Sequence, residues 1–241
     1  MTAGPVEVEL KYLVTDAATA TWLLSAPSFG PFDAGPVVPA ATLEDRYLDS
    51  ADGALRRAGY AGRLRRTAAV TLVTLKSTAT ATGPLQRREE LEAEASSSLD
   101  PRDWPTSTPR TVVLDECGGG ALVELVTIRQ ARTRRELIAP GARVELSLDD
   151  VQVLAAGRLV DRFLELEAEL REGDEAILGE LAAALAERPG LAVAAGSKLE
   201  RAQAAVVRSL AAADGTAAGP GAGSIARDET AIAPDGIGVP T

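Results

Sequence analysis

Charge that alternates with apolar residues, in segment after segment, constrains this chain more than any other feature. In Val6-Glu7-Val8-Glu9-Leu10-Lys11-Tyr12 an extended backbone puts Glu7, Glu9 and Lys11 on one face and Val6, Val8, Leu10 and Tyr12 on the other, because successive strand side chains point to opposite sides. One such string describes only a half-buried strand with a wet face. Here the pattern returns with Arg63 and Arg65, with Thr74 and Lys76, with Arg88, Glu90 and Glu92, and with Arg132 and Arg134. It returns again with Glu145, Ser147 and Asp149, and with Glu165, Glu167 and Glu169.

A face so rich in ions of both signs resists dry packing, since an unpaired buried charge costs several kcal/mol. Either an open sheet wets that face, or the sheet closes into a barrel with a polar interior, which also removes exposed edges. The opposite faces decide. Val8, Leu10, Leu64, Val73, Leu75, Val144, Leu146, Leu148, Leu164 and Leu166 need cover, and helices at about 16–26, 174–187 and 197–212 can supply it from outside. The expected fold is α+β: a closed antiparallel β-barrel with a charged lumen and helices packed outside.

Punctuation along the chain agrees. Asp16 is the N-cap of a helix through Trp22 and Leu24 that stops at Pro27. The Pro/Gly-rich stretch 28–41 and the Pro/Ser/Thr-rich stretch 96–110 read as loops, the second with room for a short helical turn, and 61–67 with 70–76 as a hairpin. Strands are expected near 43–49, 85–95, 121–126, 129–138, 142–153 and 159–170. After Asp174 the apolar period becomes helical, and Ser197 with Glu200 forms a capping box for a last helix. Residues 1–212 read as one domain and 213–241 as a disordered Gly/Ala/Pro-rich tail.

Acidic residues outnumber basic ones, 35 to 25, and no basic run interleaves with aromatics, which excludes an extended nucleic-acid surface. No apolar run nears the roughly 20 residues that span a bilayer, and no basic-then-apolar leader opens the chain. The single cysteine, Cys117, excludes an internal disulfide, so a reduced, cytoplasmic setting is expected. The chain has no histidine, which removes His-based triads, His general bases and imidazole metal ligands; any metal is held by oxygen. Arg87, Arg129 and Arg135 fall on the other parity or near a strand end and are assigned to the surface or rim.

A lumen of this composition suits a linear anion with several phosphates. Arginine forks grip phosphate oxygens in pairs and lysine adds a compact charge, while the carboxylates beside them would repel the same anion unless Mg²⁺ or Mn²⁺ lay between. The reaction most consistent with that set is hydrolysis of a terminal phosphoanhydride.

The ordered motifs also resemble the CYTH family, the triphosphate tunnel metalloenzymes. They are the E-x-E-x-K strand at 7–11, Tyr47 and Asp49, the R-x-R pair at 63 and 65, Val73-Thr74-Leu75-Lys76, the E-L-E strand at 90–92, and the late pair Ser197 and Lys198. The resemblance spans about residues 5–205. It implies Glu7, Glu9, Glu165 and Glu167 as metal ligands, with Asp149 and Glu169 as secondary ones. It implies Lys11, Arg63, Arg65, Lys76, Arg88, Arg132 and Arg134 as phosphate binders, with Lys198 near the tunnel mouth. Inorganic triphosphate is the favoured substrate, because only 3% of residues are aromatic and a stacking pocket for a base or thiazolium is poorly supplied. Thiamine triphosphatase, class IV adenylate cyclase and a non-catalytic polyphosphate or triphosphate sensor are the alternatives.

Overall fold

The structure, a computed structural model, describes residues 4–78 and 80–217. Its strands are β1 (Val6–Val14), β2 (Ser28–Phe29), β3 (Phe32–Ala34), β4 (Val38–Asp49), β5 (Tyr60–Arg66), β6 (Thr71–Ser77), β7 (Thr80–Thr82), β8 (Leu85–Glu94), β9 (Val123–Ala139), β10 (Ala142–Ala155), β11 (Arg158–Glu172) and β12 (Leu191–Val193). The helices are α1 (Ala17–Ser25), α2 (Ala54–Arg57), α3 (Thr108–Glu116), α4 (Ile177–Ala186) and α5 (Lys198–Ala217), with a 3-10 turn at Pro101–Asp103.

Eight strands run β10-β11-β1-β8-β6-β5-β4-β9, and β9 pairs back onto β10, so the barrel is closed. Every neighbouring pair is antiparallel. The register sets ion against ion on the inner face: Glu7 opposite Arg88, Lys11 opposite Glu167, Lys76 opposite Glu90, Asp45 opposite Arg65, and Arg132 opposite Asp149. The predicted alternation is therefore an inside-outside alternation.

Two apolar clusters cover the outer wall. Leu23 of α1, Phe29 and Phe32 of the small β2–β3 hairpin, and Leu178, Leu181 and Leu185 of α4 lie on Leu10, Tyr12, Leu137, Val144, Leu146 and Leu166. On the other side Leu55 of α2, Trp104, and Val112 and Val113 of α3 cover Leu48, Leu64, Val73 and Leu75. Gly62 permits the close approach of α2, since a Cβ there would lie 2.9 Å from Leu55 Cδ1. The 3-10 turn at Pro101–Asp103 is the short turn allowed within the 96–110 loop, but the cover from α3 was not expected; Ser107 caps that helix and Val112 and Val113 give it an apolar face.

The last helix also departs from expectation. Its buried Ala202, flanked by Leu199 and Val206, packs on Tyr47, Val126, Ile128, Val151, Val153 and Phe163, which share the parity of the charged inner residues on their strands. The lumen is thus charged along one stretch and apolar towards one end, and α5 lies across that end rather than on the outer wall. Helix α5 continues through Ala217, past the expected boundary at 212; the expected tail from 218 onward lies outside the described residues. No helix among the described residues is long and apolar enough to cross a membrane.

Arg135 corrects another expectation. It points outward, as its parity requires, yet it is buried and donates to the carbonyls of Leu23, Ala26 and Gly35. It ties the end of α1 and the β3 loop to the barrel, because those carbonyls need a donor. Arg87 and Arg129 are exposed at the surface, where they pair with Glu175 and Glu44.

Candidate functional site

The charged stretch of the lumen holds a cavity of about 200 Å³. Seven cations from six elements reach it: Lys11 from β1, Arg63 and Arg65 from β5, Lys76 from β6, Arg88 from β8, Arg132 from β9 and Lys198 from α5, with Arg171 joining them from β11. The lining carboxylates are Glu7, Glu90, Glu92, Glu167 and Glu169, so cations outnumber anions on its surface. Glu9, Asp45, Asp149 and Glu165 are withdrawn behind the cations and almost fully buried.

That layering follows from specific pairs. Lys11 Nζ lies 3.2 Å from Glu9 and 3.1 Å from Glu167. Burial works against its ammonium, but Glu9, Glu167 and Glu165 outweigh that and hold it protonated above the ordinary lysine value. Arg88 bonds Glu9 and lies near Glu7, and Lys76 Nζ is 2.6 Å from Glu7 and 3.2 Å from Glu90. Arg132 forks onto Asp149 at 2.8 and 2.6 Å and reaches Glu167 at 2.6 Å. At the wider mouth Arg171 pairs with Glu145 and Glu169, and the half-exposed Arg134 stands 3.6 Å from Glu145.

Lys198 is not a solvated first-turn lysine. Ser197 and Glu200 form the expected capping box, with the Ser197 amide donating to Glu200 at 2.7 Å and the Glu200 amide to Ser197 Oγ at 3.2 Å. Gly196, at φ +77°, turns the chain into it. This turn aims Lys198 into the lumen, where it is 5% exposed and lies 2.7 Å from Asp149, 3.0 Å from Glu165 and 2.8 Å from Glu167. The neighbouring carboxyls diverge in consequence: burial raises Glu165 despite both lysines, whereas Lys198, Lys11 and Arg132 override burial and pull Glu167 well down. On Glu169, burial and the nearby Glu7 push the carboxyl up to about 7.

The six carboxylates expected to hold metal do not meet at one point. Glu7 and Glu9 share Arg88, Glu169 lies with Arg171, and Asp149, Glu165 and Glu167 share Lys198. Among the described residues no three acidic or thiol side chains form a ready metal cluster. The donors are all carboxylate oxygens, which suits hard divalent cations, and three of them already converge on one positive charge. The set fits such a cation in chemistry, with an ammonium in its place.

Two site residues were missed by sequence reasoning. Asp45 accepts a bidentate fork from Arg65 at 2.7 Å and a bond from Arg63 at 3.3 Å, and Arg171 guards the mouth. Asp45 sits in Glu44-Asp45-Arg46, where both parities are charged and alternation carries no signal. Asp49, by contrast, caps α2 through the amides of Leu55 and Arg56, and Tyr47 belongs to the apolar end of the lumen. Trp22 and Trp104 lie in the outer clusters.

A closed eight-stranded barrel with an ion-lined lumen is the architecture of a triphosphate tunnel protein. The CYTH domain matches residues 6–202, and the chain belongs to the CYTH family, whose members act on triphosphates and generally depend on divalent metal. Two solved structures are similar in fold. One is a candidate adenylyl cyclase from Hippeastrum described as having a dominant triphosphatase activity, with 22% identity, TM-score 0.60, and coverage of 82% of this chain and 95% of that one. The other is a candidate adenylate cyclase from Bacillus halodurans, with 19% identity, TM-score 0.54, and coverage of 83% and 98%. No curated protein sequence matches the chain.

Proposed function

We propose that the protein hydrolyses a terminal phosphoanhydride of a small triphosphate, inorganic triphosphate first among them. The observation that carries this is the cavity itself, where lining cations outnumber lining carboxylates and Glu9, Asp45, Asp149 and Glu165 are held behind lysines and arginines. Two of its donors make no hydrogen bond: Arg63 Nε is buried without one, and Arg88 Nε has only an ion-pair contact to Glu7 at 3.4 Å, which is costly unless a ligand accepts from them. A polyanion with oxygens along its length satisfies them together.

In this reading Lys11, Arg63, Arg65, Lys76, Arg88, Arg132 and Lys198 grip the phosphates from several sides, which aligns the chain and leaves its leaving group facing fixed positive charge. Arg134 and Arg171 at the mouth attract and admit it. Glu7, Glu9, Glu165 and Glu167, with Asp149 and Glu169 as secondary ligands, would hold Mg²⁺ or Mn²⁺, which supplies charge neutralisation and an acidified water. Retention of so many carboxylates in an anion site weighs against a pure sensor. The family and the triphosphatase activity described for the Hippeastrum protein support the same reading; the proposal itself adds a cytoplasmic setting, with neither nucleic acid nor membrane as partner.

One observation keeps an organic triphosphate in view. A second cavity of about 700 Å³ shares Lys76, Arg88, Ser197 and Leu199 with the first and is lined also by Tyr60, Leu125 and Val193. The deciding experiment is phosphate release from inorganic triphosphate, ATP and thiamine triphosphate in parallel, with Mg²⁺, Mn²⁺ or EDTA, and with cyclic AMP assayed in the ATP reaction. Metal-dependent release from inorganic triphosphate is expected; cyclic AMP as the main product would replace the proposal with a cyclase, and no turnover of any substrate would end it.

A further inference from the structure

We infer that Lys198 is a built-in cation that occupies the metal position of the resting lumen, so that a divalent ion and Lys198 compete for Asp149, Glu165 and Glu167. The inference rests on the triphosphatase reading for its purpose but not for its test.

The geometry is that of a charge in a three-carboxylate cage. Three carboxylates from two adjacent strands, opposed in register through Asp149 and Glu165, approach one ammonium at 2.7, 3.0 and 2.8 Å. The ammonium serves the three unequally. Two of its three donors bond Asp149 and Glu167 at good geometry, while Glu165 Oε1 lies in contact at 3.0 Å without hydrogen-bonding geometry. The cage thus gathers more carboxylate charge than one monovalent cation balances.

Lys198 reaches the cage because it opens α5, whose apolar side closes the end of the barrel. Its ammonium can leave the cage only for another anion in the lumen; Glu7, Glu90, Glu92 and Glu169 already have partners there, which leaves the substrate. A triphosphate that accepts from Lys198 would uncover the cage for a divalent cation. Metal and triphosphate then favour each other, and that coupling acts equally in both directions. Without triphosphate, the same lysine keeps the carboxylates from capturing stray divalent ions.

The test uses the full chain and two probes, Mn²⁺ alone and inorganic triphosphate in EDTA, each titrated calorimetrically into wild type and Lys198→Met. Methionine keeps much of the length and apolar stem and removes the charge. The expected result is opposite in sign for the two probes: Mn²⁺ binds about tenfold tighter or more, while triphosphate binds equally or more weakly. Unchanged or weaker Mn²⁺ binding overturns the inference. So does tightening of both probes, the mark of a lumen merely opened by loss of α5, which hydrogen exchange of the α5 amides would show directly. A second variant, Lys198→Arg, keeps the charge and should leave Mn²⁺ binding weak; tightening equal to that of Lys198→Met would also overturn it. Absence of triphosphate turnover in wild type would defeat the proposed function and leave the Mn²⁺ comparison standing.

Discussion

Asp45 shows how much stability one lumen residue can hold. Burial pushes its carboxyl up, but Arg63 and Arg65 more than offset this and hold it at about 2, against an ordinary 3.8. A depressed carboxyl contributes stability above its unfolded value and loses it as pH falls through the folded value. That contribution is on the order of 2 kcal/mol at neutral pH, lost between about pH 4 and pH 2. Asp45→Asn should therefore destabilise the protein at pH 7 by roughly 3 kcal/mol, because it also leaves buried Arg63 short of a partner. In urea unfolding the gap to wild type should narrow below pH 4, and a gap constant with pH would refute the assignment. Lys11 belongs to the same scale with a different readout. Lys11→Ala should lower kcat/KM for triphosphate by about 10²–10³, as loss of a positioned charge does, with cooperative thermal unfolding retained. Unchanged kinetics would remove Lys11 from the site.

At the scale of elements, two helices with similar patterns do different work. Leu181 of α4 is fully buried on the outer wall, so Leu181→Ala should cost about 2–5 kcal/mol, while the 62% exposed Leu210 of α5 should tolerate alanine within about 0.5 kcal/mol; equal losses in urea titrations would contradict the placement of these faces. Ala202→Glu would set an unpaired charge against Val151 and Phe163, and α5 should lose hydrogen-exchange protection before the barrel strands do. Concerted loss of both would show that the end cap is integral to the barrel. The difference between these helices is also where the sequence was least legible. Apolar residues at helical spacing say that a helix has a buried side, not which surface it buries on, so α5 was expected on the outer wall. Val126, Ile128, Val151, Val153 and Phe163 carried the missing signal, since they continue the parity of charged residues with apolar ones. Helix α3 was hidden by the prolines and serines around it, and β9 appeared as two strands although Val123–Ala139 is one. Alternation was legible wherever one parity was charged and the other apolar, which is why Lys11, Arg63, Arg65, Lys76 and Arg132 were placed inside; Arg88, with charge on both sides, was placed through its parity with Glu90 and Glu92 around Leu91, and Asp45, also with charge on both sides, was not placed.

For the whole molecule the decisive feature is the separation of charge by layer. The chain carries a formal charge of −10, yet the surface of its inner cavity is cationic, so a small anion is repelled at distance and held strongly once inside a closed, partly dehydrated wall. Closure joins β9 to β10 across the seam, and the gripping residues come from β1, β5, β6, β8, β9 and α5, so an anion that satisfies them ties distant parts of the barrel together. A ligand that binds only the folded state at a hundred times its Kd adds about 2.7 kcal/mol. A protein of this size gains roughly 2–4 °C per kcal/mol. Inorganic triphosphate in EDTA should accordingly raise Tm by about 5–10 °C at that excess. Orthophosphate, which can reach only a few of the cations at once, should do so far less at equal ionic strength. The shift should shrink in high salt, though less than for a surface site, because charges in a closed lumen are screened less than exposed ones. If triphosphate, orthophosphate and sulfate raised Tm alike, the multistrand grip on a linear polyanion would be wrong, and the lumen ions would be a self-neutralising structural network.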